Sequence, residues 1–185
     1  MSVIENTKQL APTGTWTADP VHSHVSFEVA YAGVNTFRGG FTDFDVSLVG
    51  GDEPSLEGAA KIASVDVKDE NLNAHLQAPD FFDAERYPEI SFRATELRRV
   101  DGDRVEGAGE LTIKGVTHHV AVTGAVAAAP VTDPMGRERL GLRLETGIDR
   151  TEYGVSWNAP NQTGGDYVAN DVTLIAELAL IRQDA

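Results

Sequence analysis

The sequence predicts an all-β fold: eight long antiparallel strands extended into a closed barrel, with one short helix. Three observations carry that prediction. Apolar and polar residues alternate in segment after segment, as in Val25, Phe27, Val29 and Tyr31 against Ser26, Glu28 and Ala30, or Phe44, Val46 and Leu48 against Asp43, Asp45 and Ser47, which is the period of a half-buried antiparallel strand. Turn clusters such as Gly50-Gly51-Asp52 and Asp101-Gly102-Asp103 separate these segments. Helical spacing occurs in one place, Lys68 to Gln77, where Leu72 and Leu76 stand four apart among polar residues.

Taken in order, residues 1–12 read as a polar, flexible leader ending at Pro12, and residues 13–185 as a single β-barrel domain. Gly14 to Ala18 is a short extra strand. The long strands are Val25 to Tyr31, Phe44 to Leu48, Leu56 to Val67, Glu89 to Val100, Arg104 to Lys114, Thr117 to Ala128, Arg137 to Ile148 and Asp171 to Ile181. Closing such strands into a barrel removes the exposed edges they would otherwise present. A two-sheet sandwich satisfies the same alternation, which does not separate the two. The inward faces mix large and small side chains: Leu56, Gly58, Ala60 and Ile62 on one strand, and Val105, Gly107, Gly109, Leu111 and Ile113 on another. Small lining residues leave room for a ligand in a barrel of this size, or else they mark bulges where strands bend.

Acidic residues outnumber basic ones by 29 to 15, a net charge of -14, which opposes approach to nucleic acid and to anionic lipid surfaces. There is no cysteine, hence no disulfide, thiol nucleophile or iron-sulfur ligand. No apolar run is long enough to span a membrane and no apolar stretch follows a basic start, so a cytoplasmic location is expected.

Catalytic signatures are sparse. His22 and His24 stand two apart and share a strand face, supplying two of the three ligands of a zinc site if His75, His118 or His119 completed it; the alternative is a turn after Pro20 in which both imidazoles only make hydrogen bonds. His118 and His119 are consecutive and face opposite sides. Ser23 and Ser156 lack a nucleophile elbow. No metal, cofactor or catalytic set is expected. Asp149-Arg150 with Tyr153 lies between strands, either as a loop ion pair beside a packed tyrosine or as a cation offered to a polar headgroup. Phe81 and Phe82 occupy a polar-flanked turn, followed by Pro88 and the alternating Ile90, Phe92, Ala94 run, so two rings stand where a cavity mouth could use them.

The order of several motifs resembles the YceI-like family of lipocalin-like polyisoprenoid-binding proteins: Trp16-Thr17-Ala18-Asp19-Pro20-Val21-His22-Ser23; Arg38-Gly39-Gly40-Phe41 with Phe44; Asn73-Ala74-His75-Leu76; Asp80-Phe81-Phe82-Asp83; Tyr87-Pro88-Glu89-Ile90-Ser91-Phe92; Gly109 through Thr117; and Asp149-Arg150 with Tyr153-Gly154. The resemblance implies an extended, lipocalin-like eight-stranded barrel whose apolar interior holds an isoprenoid or other long-chain amphiphile, by binding and not by catalysis. Where many members carry a histidine, this chain has Tyr31. On this basis the expected ligand-binding residues are Phe27, Val29, Tyr31, Phe41, Phe81, Phe82, Tyr87, Phe92, Gly109, Leu111, Ile113, Tyr153 and Trp157, with His22, Arg38 and Arg150 as headgroup candidates. The expected partner is the lipid itself, with a homodimer allowed. Two rival readings are an enzyme on an isoprenoid or aromatic small molecule using His22, His24 or Tyr153, and a packed, stress-related interaction module without ligand.

Overall fold

The computed structural model describes residues 9–160 and 162–183. Its strands are β1 (Gly14–Ala18), β2 (His24–Tyr31), β3 (Asn35–Phe41), β4 (Phe44–Gly50), β5 (Ser55–Lys61), β6 (Val65–Asp66), β7 (Glu89–Asp101), β8 (Arg104–Ile113), β9 (Val116–Val126), β10 (Val131–Thr132), β11 (Glu138–Asp149) and β12 (Val168–Arg182), with one helix, α1 (Glu70–Gln77), between β6 and β7. Several short strands are halves of longer, bent ones. β12 pairs along its C-terminal end with β1 and along the rest with β2, so those two form one stave. In the same way β3 and β4 pair with β2 and β1, and β6 and β5 pair with β3 and β4. Counted this way there are eight antiparallel staves, and the long β11–β12 ladder from Arg139↔Ile181 to Asp149↔Asp171 closes the ring.

The barrel answers the barrel-or-sandwich question, and the extra strand at Gly14 becomes half of the first stave. Its corner is pinned by polar groups. The Asp19 carboxylate accepts from the Val21 amide (3.0 Å), His22 Nδ1 (2.7 Å) and Arg139 Nη1 (2.8 Å), while buried Ser23 Oγ accepts from the Ala179 amide at 2.9 Å. β3 lies outside the expected strands because glycines interrupt its apolar pattern. Gly39 is required there: a Cβ would stand 2.4 Å from the Phe27 ring that covers it. The helix starts two residues later than the apolar spacing suggests, because Lys68 has φ +64 and Asp69 caps the first turn by accepting from the Leu72 amide at 2.8 Å.

Of the expected leader, residues 1–8 lie outside the described residues, but Leu10 and Ala11 are each 1% exposed and belong to the core. The chain is tied down there because Trp16 Nε1 donates to the Pro12 carbonyl at 3.0 Å and Gly51 N–H donates to the Ala11 carbonyl at 3.0 Å.

The interior divides into two packed regions along the barrel axis. One end is filled by Trp16, Leu48, Leu180, Val105, Leu140 and their neighbours, several of them fully buried. The other end gathers aromatic rings, Phe27, Phe41, Phe44, Phe81 and Tyr153, beneath α1 and the Phe81-Phe82 turn. No helix among the described residues is long and apolar enough to cross a membrane.

Candidate functional site

The aromatic end is hollow. A cavity of about 390 Å³ opens among Phe27, Val29, Phe37 and Phe41 from the first two staves, Leu72 and Leu76 from α1, Phe81 and Phe82 from the turn, and Ile148, Tyr153, Val155 and Trp157 from the far wall. Its lining is apolar apart from the tyrosines and Arg150. A second cavity of about 130 Å³ lies deeper, among Val46, Leu56, Gly58, Ala60, Phe92, Leu111, Val122 and Leu178. Phe41, Ile90 and Leu174 border both.

The turn that roofs the upper chamber is built by backbone bonds. Phe81 and Asp83 N–H groups both donate to the Ala78 carbonyl, and Phe82 N–H to Leu76, each at 3.0 Å. That winding requires φ +53 at Asp83, a conformation Asp tolerates better than most residues. It turns Phe81 inward against Trp157 (centroids 5.3 Å apart) and His75 (4.8 Å), and Phe82 against Phe41 (6.2 Å). These separations and tilts are those of favourable aromatic pairs.

Among the described residues Arg150 is the one cation on the chamber wall, and it is 6% exposed. Its guanidinium donates to carbonyl oxygens of Val155 (2.8 Å), Trp157 (2.9 Å), Ala169 (3.0 Å) and Val168 (3.4 Å). All four acceptors are backbone carbonyls, and no carboxylate among the described residues pairs with it. Asp149 instead caps the following 3-10 turn through Thr151. Burial pulls the Arg150 pKa down, though a guanidinium stays charged at any ordinary pH. Arg150 therefore ties Val155 and Trp157 to Val168 and Ala169 beside the chamber. Tyr153 is 1% exposed, and its hydroxyl has no hydrogen-bond partner among the described residues. Burial raises its pKa because the phenolate is the form that loses solvation. His118 meets the Tyr153 ring edge-on at 4.8 Å and donates from Nε2 to the Glu152 carbonyl at 3.1 Å.

The expected site residues sort cleanly. The upper chamber gathers Phe27, Val29, Tyr31, Phe41, Phe81, Phe82, Ile113, Arg150, Tyr153 and Trp157; the deeper cavity gathers Phe92 and Leu111. Four expected residues lie elsewhere. Tyr87 packs its ring over the Gly115 turn, where a Cβ would come within 2.6 Å of it. Gly109 faces inward but is covered by the Phe92 ring, and its absent Cβ would also stand 2.5 Å from the Arg93 carbonyl oxygen. Arg38 points outward and pairs with Glu28 at 3.1 Å. His22 is exposed at the stave corner on Asp19. His24 is also exposed, and no group of three or more metal-ligating side chains gathers among the described residues. Of the residues proposed for acid-base chemistry, Tyr153 alone reaches the chamber.

The small inward residues divide between their two readings. Ala60 borders the deeper cavity and leaves it room; Gly58 borders it too, but a Cβ there would stand 3.1 Å from Val46 Cγ2. Gly107 and Gly109 instead face the β7 irregularity between Ala94 and Glu96, where β7 carbonyls would lie 2.3 and 2.5 Å from a Cβ. Alternation did not find Phe37, because its strand was hidden by the glycines after it; Leu72, Leu76, Val172 and Leu174 were visible as apolar stripes without any sign that they meet.

Eight staves around a hollow roofed by a helix and an aromatic turn define a barrel that encloses space instead of filling it. The chain belongs to the YceI-like domain family, whose model matches residues 16–180. A UPF0312 protein of Staphylococcus epidermidis is 30% identical over 158 residues, covering 83% of this chain and 90% of that one. Among solved structures, BcnA of Burkholderia cenocepacia superposes with a TM-score of 0.70 at 23% identity, covering 90% of this chain and 99% of that chain. A polyisoprenoid-binding domain from Saccharophagus degradans, implicated in plant cell wall breakdown, gives a TM-score of 0.66 at 12% identity, covering 91% and 98%. At those identities the structural likeness speaks for the fold.

Proposed function

We propose that this protein binds one long-chain isoprenoid, of polyprenyl or quinone type, or a similar amphiphile inside the barrel, as a carrier or reservoir. The observation that carries the reading is the apolar upper chamber of about 390 Å³, which falls within the range of small-molecule pockets, roughly 300–1,000 Å³. The Saccharophagus domain of like fold, described as polyisoprenoid-binding, supports the same ligand class.

Burial of the tail supplies the affinity. Each methylene removed from water contributes ~0.8 kcal/mol, so about ten buried carbons offer on the order of 8 kcal/mol before ordering costs. No ion pair is required, and a net charge of -14 is no obstacle to a neutral ligand. Arg150 holds the chamber wall at Val155, Trp157 and Ala169 in place, and the Tyr153 hydroxyl, without a partner among the described residues, offers a hydrogen bond to a ligand oxygen. A packed interaction module would instead be expected to fill this space.

The test is purification from the native host without detergent, followed by comparison of native and organic-extracted masses. One amphiphile per chain is the expected result. A protein that comes out empty and also refuses added quinones and prenyl alcohols contradicts the proposal.

A further inference from the structure

Resting on the reading that a chain-like lipid enters the barrel, we infer that the interior measures the length of its tail. The upper chamber receives the first part, the tail passes between Phe41, Ile90 and Leu174, and the deeper cavity accepts its far end and sets the longest tail that fits.

Three observations support this. The two cavities share those three residues and lie in succession along the same staves. At about 130 Å³ the deeper one is too small to be a ligand site alone, since such sites begin at roughly 300 Å³, yet it is suited to the end of a tail that starts above it. Its space comes from small inward residues, Ala60 and Ala176, set among larger ones. From Leu174 to Leu178 the β12 wall adds roughly 13 Å of path along the strand, at about 3.3 Å per residue.

The cavity also has a floor. Leu56, Val122 and Leu178 are each 4% exposed, and beyond them Trp16, Leu48 and Leu180 are fully buried at 0%. Interiors packed to that extent resist added volume. Each methylene that finds room should tighten binding about fourfold, the equivalent of ~0.8 kcal/mol, and each one beyond the floor should add nothing or weaken it.

The experiment uses the full chain stripped of lipid and titrated with geraniol, farnesol, geranylgeraniol and longer polyprenols, read by native mass spectrometry. Affinity should climb with each isoprene unit and then stop. Ala176→Leu should move the stop to a shorter alcohol, with at least a tenfold loss for the longest alcohol that fits the unaltered protein and no change for geraniol. Leu178→Ala should move it to a longer one. The second variant opens space where the first fills it, so a folding failure of either leaves the other decisive. Binding that is equal for farnesol and every longer alcohol, or variants that shift all alcohols alike, would overturn the length measurement while leaving lipid binding intact. Failure of every alcohol, and of added quinones, to bind would overturn both.

Discussion

Replacing Arg150 by Met should unfasten Val155 and Trp157 from Ala169 beside the upper chamber. Val168 keeps a second donor in Asn158 Nδ2 at 2.7 Å, so its long contact with Arg150 counts for little. The bonds that matter are those to Val155, Trp157 and Ala169, at 2.8, 2.9 and 3.0 Å. With a net value of ~1 kcal/mol for each, and the Met side chain retaining much of the apolar packing, the loss is about 3 kcal/mol. For a chain of 185 residues, about 3 kcal/mol corresponds to a fall in Tm of roughly 6–12 °C. Urea unfolding followed by far-UV circular dichroism measures the loss directly, with the m-value checking that the transition remains comparable. Arg150→Lys should recover only part of it, because an ammonium cannot span three divergent carbonyls. A loss below ~1 kcal/mol in Arg150→Met would refute the staple.

Other outcomes follow from the same contacts. Tyr153→Phe should leave the lipid-free protein as stable or up to ~1 kcal/mol more so, since it removes a buried hydroxyl without a partner; a loss of more than ~1 kcal/mol on thermal denaturation would show that the hydroxyl is already bonded. Gly109→Phe should fail to fold, because even a Cβ meets the Arg93 carbonyl oxygen and the Phe92 ring at 2.5 Å; a soluble variant with wild-type circular dichroism would contradict this. Arg139 holds both Asp19 and Asp133 at 2.8 Å and keeps their pKa values well below the ordinary carboxylate range. Depressed carboxylates stabilise the fold above their unfolded pKa of about 3.9 and lose that contribution as pH falls through the folded value. Arg139→Met should therefore flatten the acid limb of the stability profile below about pH 4, while an unchanged limb would assign acid sensitivity to other carboxylates.

The staves were legible because their residues alternate strictly and one face of each is buried, so parity alone placed Phe27, Val29, Leu111 and Ile113 inside. Phe81 and Phe82 stood out as rings in a turn, where nothing but a cavity or a neighbouring element would shelter them. Less legible were features set by long-range contact. Arg38 and His22 looked available for a headgroup because a sequence does not show that Glu28 and Asp19 hold them outside the barrel. Gly109 looked like empty space, yet its missing side chain is filled by a ring from the neighbouring strand. Leu10 and Ala11 sit in a short polar-flanked stretch with no period, and only the packing against the Trp16 end makes them core.

The chain contains two tryptophans, and they report on opposite ends of the barrel. Trp157 lines the upper chamber, whereas Trp16 is fully buried in the packed core beyond the deeper cavity. A long-chain alcohol brominated near its hydroxyl end, a contact quencher, should quench the fluorescence of the unaltered protein saturably and leave that of Trp157→Phe unchanged. Equal quenching in both proteins, or none at concentrations where the alcohol is shown to bind, would contradict a ligand seated in the chamber.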